Sequence, residues 1–255
     1  MLQLNSIHCA DCLEKMKEID DKSIDLILAD LPYGTTACSW DTIIPFEPLW
    51  EQYKRIIKDN GAIVLTASQP FTSVLVMSNV KMFKYEWIWK KNKPSGMATS
   101  KYMPMKEHES ILVFGKGKIK YNPLKELTKS KTSLKHAEMG YINKGNFTSD
   151  INNIKATQNK WNKFVNPRSV LEIDVEHHRI GRLHPTQKPV ALFEYLIKTY
   201  TNEGDLVLDN CIGSGTTAVA CKNLNRNFIG IELEQKYVDI ANKRLINLSL
   251  QGESL

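Results

Sequence analysis

The stretch that most limits how this 255-residue chain can fold is Gly204 to Glu232. Leu206-Val207-Leu208-Asp209 is an apolar run short enough for a buried strand, and Asn210-Cys211-Ile212-Gly213-Ser214-Gly215-Thr216-Thr217 leads from it into a helical pattern. Phe228 to Ile231 is a further apolar run, closed by Glu232. Glycine lets a backbone turn sharply and approach a ligand closely. Gly213 and Gly215 at the amino end of a helix therefore offer N–H groups to an anion, and an acid ending the next strand can accept from two ribose hydroxyls. Strand, glycine turn, helix, strand and acid in that order predict half of a doubly wound α/β sheet that binds a nucleoside. A dinucleotide would fit this unit alone nearly as well.

A second apolar run, Ile24 to Ala29, stops at Asp30-Leu31-Pro32-Tyr33-Gly34. Proline cannot donate to a sheet ladder and glycine permits a tight turn, so a strand ends here with a carboxylate and an aromatic ring at its carboxyl end. Open α/β sheets bind their ligands at that edge. Taken alone, Asp-x-Pro-Tyr-Gly is also an ordinary strand-to-loop turn.

Around these landmarks strand and helix patterns alternate. Residues 3–19 read as a short strand, a turn over His8 to Asp11 and an amphipathic helix carrying Leu13, Met16 and Ile19, with Asp11 at an N-cap position. Pro48 to Lys58 reads as a helix closed by Asn60-Gly61, Ala62 to Thr66 as a buried strand, and Pro70 to Met77 as a helix. Lys84 to Lys90 reads as a strand that passes into a basic loop over Trp89 to Gly96. Glu109 to Phe114 is a strand, ended by Gly115 and Gly117. Order returns at Val170 to Ile173 and at His184-Pro185-Thr186-Gln187-Lys188-Pro189, which leads into a helix through Tyr200. A last helix runs from Gln235 to Leu248.

With 42% hydrophobic residues the chain can bury one sizeable core, and no apolar run reaches the length needed to span a bilayer. No charged segment followed by an apolar one opens it, so a soluble cytoplasmic protein is expected. Five cysteines, Cys9, Cys12, Cys38, Cys211 and Cys221, argue for a reducing compartment rather than a disulfide framework. Cys9 and Cys12 form a C-x-x-C pair after His8, but no second pair at finger-like spacing accompanies it, and no metal is expected.

The net charge of +6 is unevenly spread. From Lys116 to Arg168, 12 Lys and Arg stand against Glu126, Glu138 and Asp150, which gives +9 there and leaves −3 for the rest. Such a stretch is drawn to a polyanion, although a solvated lysine-rich face has the same composition. Periodicity also fades from Lys118 onward, with isolated Tyr121, Tyr141, Phe147, Trp161 and Phe164. The stretch is too long for an ordinary loop, so an inserted lobe over 118–170 is expected between halves 1–117 and 171–255.

Four motifs together resemble those of amino-group DNA methyltransferases. Asp30-Leu31-Pro32-Tyr33 resembles their Asp-Pro-Pro-Tyr motif, with Leu31 in place of the first proline. Leu208 to Thr217 resembles their Asp-Pro-Phe-x-Gly-Ser-Gly-Thr-Thr cofactor loop, with Asn210-Cys211 in place of Pro-Phe. Gly230-Ile231-Glu232-Leu233 with Tyr237-Val238 looks like their next motif, and His184 to Pro189 like the segment just before the loop. Catalytic motif first, then lobe, then cofactor loop is the order of the β class. The resemblance implies an α/β, Rossmann-like, doubly wound and mostly parallel sheet with one antiparallel hairpin and an inserted target-recognition lobe. It implies S-adenosylmethionine as methyl donor and double-stranded DNA as substrate. A homodimer and a cognate restriction endonuclease are the candidate partners, in a prokaryotic or phage-encoded setting at the nucleoid.

On this resemblance Asp30, Leu31, Pro32 and Tyr33 are the catalytic residues. Asp30 and the Leu31 carbonyl would accept the two N–H groups of an exocyclic amine, Pro32 would fix the turn, and Tyr33 would stack on a flipped base. Asp11, Asp30, Thr186, Lys188, Asp209, Cys211, Gly213, Ser214, Gly215, Thr216, Thr217 and Glu232 are expected around the cofactor. Among these, Asp11 would contact the adenine amino group, and Thr186 and Lys188 would lie by the methionine carboxylate; a surface role for Lys188 is the alternative. Cys211 takes the place of a phenylalanine that packs near the adenine. Lys91, Lys93, Trp161, Arg168, Arg179 and Arg182 are candidates for DNA contacts, arginine being the usual bidentate reader of guanine, while core packing is the commoner fate of a residue like Trp161.

Aspartate with tyrosine in the first motif resembles the adenine-N6 enzymes, whereas cytosine-N4 enzymes of this architecture commonly carry serine there. An N4-cytosine enzyme is one alternative. A non-catalytic nucleic-acid-binding module that retains the cofactor fold is another, though a decayed site would be expected to lose some of Asp30, Tyr33, Gly213, Gly215 and Glu232.

Overall fold

The computed structural model of the protein describes residues 2–35, 41–127, 142–143, 159–160, 163–175 and 187–252. The chain divides into two compact units, residues 1–122 with 169–255, and residues 123–168.

In the larger unit, β1 (Ser6–Cys9) leads into the short α1 (Cys12–Met16), and β2 (Ile24–Ala29) precedes α2 (Phe46–Ile56). β3 (Ile57–Ala67) and α3 (Phe71–Ser78) follow, then β4 (Phe83–Ser95) and β5 (Lys106–Phe114). Among the described residues the second unit holds four short strands: β6 (Glu126–Leu127) pairs antiparallel with β9 (Phe164–Val165), and β7 (Ile142–Asn143) with β8 (Asn159–Lys160). The larger unit resumes with β10 (Val170–Glu172), α4 (Val190–Tyr200), β11 (Leu206–Asp209), α5 (Thr216–Asn223), β12 (Asn227–Glu232) and α6 (Gln235–Gly252).

Eight strands form one sheet in the order β1-β12-β11-β2-β3-β5-β4-β10. Every neighbouring pair is parallel except the two made by β5. The connections run one way from β2 and the other way from β11, so the switch point of the topology falls between those two strands. Their carboxyl ends carry Asp30 and Asp209. Because β5 is reversed, its amino end opens on the same edge.

Side chains alternate across a strand, and that period sorts the core into two layers. Ile63 and Leu65 of β3, with Leu206 and Leu208 of β11, face one layer; Ala62 and Val64, with Val207, face the other. The first layer is capped by Met16, by Leu49, Trp50, Tyr53 and Ile56 of α2, and by Phe71 and Leu75 of α3. The second is capped by α4 through Leu192, Phe193, Leu196 and Tyr200 and by α5 through Ala218 and Cys221. Covering both faces is what lets β2 be apolar at nearly every position. Full burial of each such Leu or Ile contributes roughly 1.5–3 kcal/mol.

Two expectations from the sequence are corrected. Asn60-Gly61 does not close α2. The helix ends at Ile56, Ile57 is already extended, and the chain runs straight into β3. Gly61 lies inside that strand, where a Cβ would meet the Asp25 carbonyl at 2.8 Å, so its lack of a side chain serves close strand pairing. Lys90 to Ser95 is not a loop either. It prolongs β4, with Lys90 opposite His108 and Ser95 opposite Lys106, and the register shift between these pairs accommodates Pro94, which has no N–H to donate.

Candidate active site

Asp30 follows the last residue of β2, and both oxygens of its carboxylate accept hydrogen bonds. Oδ1 accepts from the Tyr33 hydroxyl at 2.7 Å and from the Thr66 hydroxyl, and Oδ2 lies 2.6 Å from the Lys188 ammonium. Tyr33 stacks on Phe71, with ring centroids 5.1 Å apart and an interplanar angle of 25°, and Lys188 Nζ sits 5.6 Å from the centre of the tyrosine ring. Leu31 is buried in the core layer beneath. Beyond the motif, Asp41 accepts from the backbone N–H groups of Gly34 at 2.8 Å and Thr35 at 2.9 Å, which fixes the turn.

The electrostatics follow from this packing. Burial works against charge on Lys188, but Asp30 foremost, with Tyr33 and Glu109, holds its ammonium well above the ordinary lysine range. Burial, reinforced by the Asp30 charge, pushes the Tyr33 phenol up, so the hydroxyl stays a donor at neutral pH.

Across the switch point, Asp209 accepts from the Cys211 N–H at 3.0 Å and from the Thr217 hydroxyl, and so closes the start of the glycine turn. Burial pushes its carboxyl up to about 7; those two bonds oppose the rise and the nearby Asp30 and Glu232 carboxylates add to it. Gly213 and Gly215 have φ of +51° and +83°. A Cβ at Gly215 would also lie 2.7 Å from that of Ala241 on α6, so helix packing and backbone conformation both require glycine there. Glu232 ends β12 with Oε2 accepting from the Gly213 N–H at 2.9 Å and Oε1 from the Glu234 N–H at 3.0 Å. Each oxygen keeps a second lone pair for a hydroxyl donor.

The hydroxyls of the turn are tied into the fold. Ser214 reaches Gln187 at 3.3 Å, Thr216 the Lys188 carbonyl at 3.4 Å, and Arg244 binds the Ser214 carbonyl at 2.8 Å. These contacts attach the turn to the segment that carries Lys188. Asp11 caps α1, accepting from the N–H groups of Leu13 at 2.9 Å and Glu14 at 3.1 Å. The Cys12 thiol is buried against Cys211, while Cys9 is exposed and donates to the Leu233 carbonyl at 3.6 Å, so the C-x-x-C pair does not converge on one point.

The structure thus brings Asp30, Leu31, Tyr33, Lys188, Asp209, Cys211, Gly213 to Thr217 and Glu232 to one edge of the sheet. Lys93 and Arg168 are exposed. Lys91, expected from the sequence to contact DNA, has a side chain only 9% exposed, with its ammonium 3.1 Å from Glu109. Thr186, Trp161, Arg179 and Arg182 lie outside the described residues. Thr66 and Glu109 were not singled out in the sequence. A polar residue inside the buried run of β3 and a carboxylate heading the apolar run of β5 are the signals that point to them.

Residues 24–243 match the family described as DNA methylase, which comprises N6 and N4 enzymes. The chain belongs to the N6/N4 DNA methylase family. Among curated members of that family, the type II methyltransferase M.HpaI of Haemophilus parainfluenzae is 31% identical over 93% of this chain and 73% of its own length. The type II methyltransferase M1.MboII of Moraxella bovis is 30% identical over 98% of this chain and 100% of its own. The crystal structure of an M1.HpyAVI–SAM complex superposes with a TM-score of 0.60 at 29% identity, over 94% of this chain and 98% of that one. Within this DNA methylase family, then, the chain is an amino-group methyltransferase.

Proposed function

We propose that the protein transfers a methyl group from S-adenosylmethionine to the N6 amino group of adenine in a specific sequence of duplex DNA, by base flipping and direct attack of the amino nitrogen. The observation that carries this reading is Asp30 with Tyr33, hydrogen-bonded to each other beside the switch point of the sheet. Serine in place of Asp30 would favour cytosine.

The donor set fits the cofactor. Glu232, anchored by two backbone N–H groups, would hold ribose hydroxyls, the Gly213-Ser214-Gly215 turn would take the amino-acid portion together with Lys188, and Asp11 and Cys211 would lie toward the adenine. Bound there, S-adenosylmethionine supplies an electrophilic methyl on a sulfonium. The chain's own residues deal with the base. An exocyclic amine is a weak nucleophile because its lone pair is delocalised into the ring. Asp30 and the Leu31 carbonyl, each accepting one N–H, draw that pair out of conjugation and aim it. The proton lost from the nitrogen after methylation passes to Asp30 or to water. Tyr33, backed by Phe71, offers the flipped base a stacking face.

We read the basic stretch 118–170 as the target-recognition region, with Arg168 at its end and Lys93 on β4 as phosphate or base contacts. A homodimer at nucleoid DNA in the cytoplasm, paired with an endonuclease of the same specificity, suits a type II role. Sequencing with modification detection, on genomic DNA from a methylation-deficient bacterial host, tests the reading. N6-methyladenine within one short motif for the wild type, and none for Asp30→Ala, is expected. An unmodified genome with the wild type, or modification by the Ala variant, overturns it.

A further inference from the structure

The buried row of charges behind Asp30 contains a residue with no assigned role. Glu109 lies in the amino-terminal half of β5, and the reversal of that strand is what delivers it to the ligand edge. Its side chain is only 16% exposed. Oε1 is 3.1 Å from the Lys91 ammonium, and Oε2 is 3.4 Å from that of Lys188. Oε2 is buried and has no hydrogen-bond partner among the described residues. Lys188 instead gives its short bond, 2.6 Å, to Oδ2 of Asp30. Lys91, Glu109, Lys188 and Asp30 therefore form a line of alternating charge.

This arrangement poses a problem that Glu109 solves. An amino group captured by Asp30 has to share Oδ2 with a charged donor already seated there, since Oδ1 holds the Tyr33 and Thr66 hydroxyls, and two donors on one oxygen weaken the bond each makes. Lys188 cannot simply retreat, because a buried ammonium left without a partner is strongly destabilising. Oε2 of Glu109 is an acceptor with no donor among the described residues, and a shift on the order of 1 Å would bring the ammonium to charge-assisted bonding distance from it.

We propose that Glu109 is a positioning residue that takes over the Lys188 ammonium when the target amino group occupies Oδ2 of Asp30. Lys188 keeps its proton throughout. Only the partner of its short hydrogen bond changes, and the row stays neutral in both states. The inference rests on amino-group transfer by this site but not on which base is the target.

The test compares wild type with Glu109→Gln, which keeps shape and removes charge, and Glu109→Asp, which keeps charge. Tritiated methyl transfer to unmethylated genomic DNA is followed with enzyme in excess over sites, and S-adenosylmethionine affinity is measured separately by calorimetry. Glu109→Gln is expected to slow transfer by about 10- to 100-fold with cofactor affinity within about threefold of wild type, and Glu109→Asp to recover most of the rate. If Glu109→Gln leaves Lys91 unpaired and unfolds the protein, Lys91→Met with Glu109→Gln restores charge balance and is expected to be equally slow. A wild-type rate in either Gln variant, an Asp variant as slow as Gln, or a loss confined to cofactor affinity overturns the proposal. Digestion of the labelled DNA separates the two readings: label on N4-methylcytosine would remove the adenine assignment while leaving the comparison of rates intact.

Discussion

The Lys188 ammonium lies 2.6 Å from Oδ2 of Asp30, joining the segment before α4 to the end of β2. Side chains separated by most of the chain thus meet at the sheet edge, beside the glycine turn that follows β11.

Lys188→Met would leave Asp30 and Glu109 as neighbouring carboxylates with their shared cation gone. A loss of about 3 kcal/mol or more is expected at neutral pH, because breaking one side of a buried pair strands the other. Urea unfolding of wild type and variant at neutral pH checks it.

The Tyr33 ring and hydroxyl are expected to separate in their effects. Tyr33→Phe keeps the stack on Phe71 and removes one of the donors to Asp30, for which about a tenfold fall in turnover is expected. Tyr33→Ala removes the stacking face as well and is expected to cost at least about a hundredfold, with weaker capture of the base. Steady-state kcat and KM for DNA distinguish the two.

Gly215→Ala is expected to disrupt the turn rather than the chemistry. The new methyl would sit 2.7 Å from Cβ of Ala241 and the residue would be held at φ +83°. A destabilisation of about 1–3 kcal/mol, accompanied by weaker S-adenosylmethionine binding, should appear in thermal melts with and without cofactor.

The Asp209 carboxyl, raised to about 7 in the fold, lies well above its unfolded value near ~3.9. Between those limits the folded state binds more protons than the unfolded one, so this group's contribution to stability is full below pH ~4 and is lost as pH rises toward 7. The slope is up to about 1.4 kcal/mol per pH unit. Asp209→Asn, which cannot titrate, is expected to flatten the pH dependence of the urea midpoint over that window. An unchanged dependence would contradict the assignment.

Much of this architecture can be read directly from residue order. β2, β11 and β12 are apolar runs because both sheet faces are covered, and Asp30 and Glu232 stand where those runs stop. What the pattern does not encode is direction and pairing. Nothing in Glu109 to Phe114 reveals that β5 runs against its neighbours, so the place of Glu109 beside Lys188 is visible only in the folded sheet. Thr66 is similar: a single hydroxyl within an apolar strand acquires meaning from Asp30 on the adjacent strand. Lys91 reads as part of a basic loop for the same reason, whereas β4 continues past the basic residues and this lysine pairs with Glu109.

Nucleoside mass spectrometry of DNA methylated by the purified wild-type protein tests the central claim most directly. N6-methyldeoxyadenosine as the product is the expected result. N4-methyldeoxycytidine in its place would contradict the assignment of adenine to a site built on Asp30 and Tyr33.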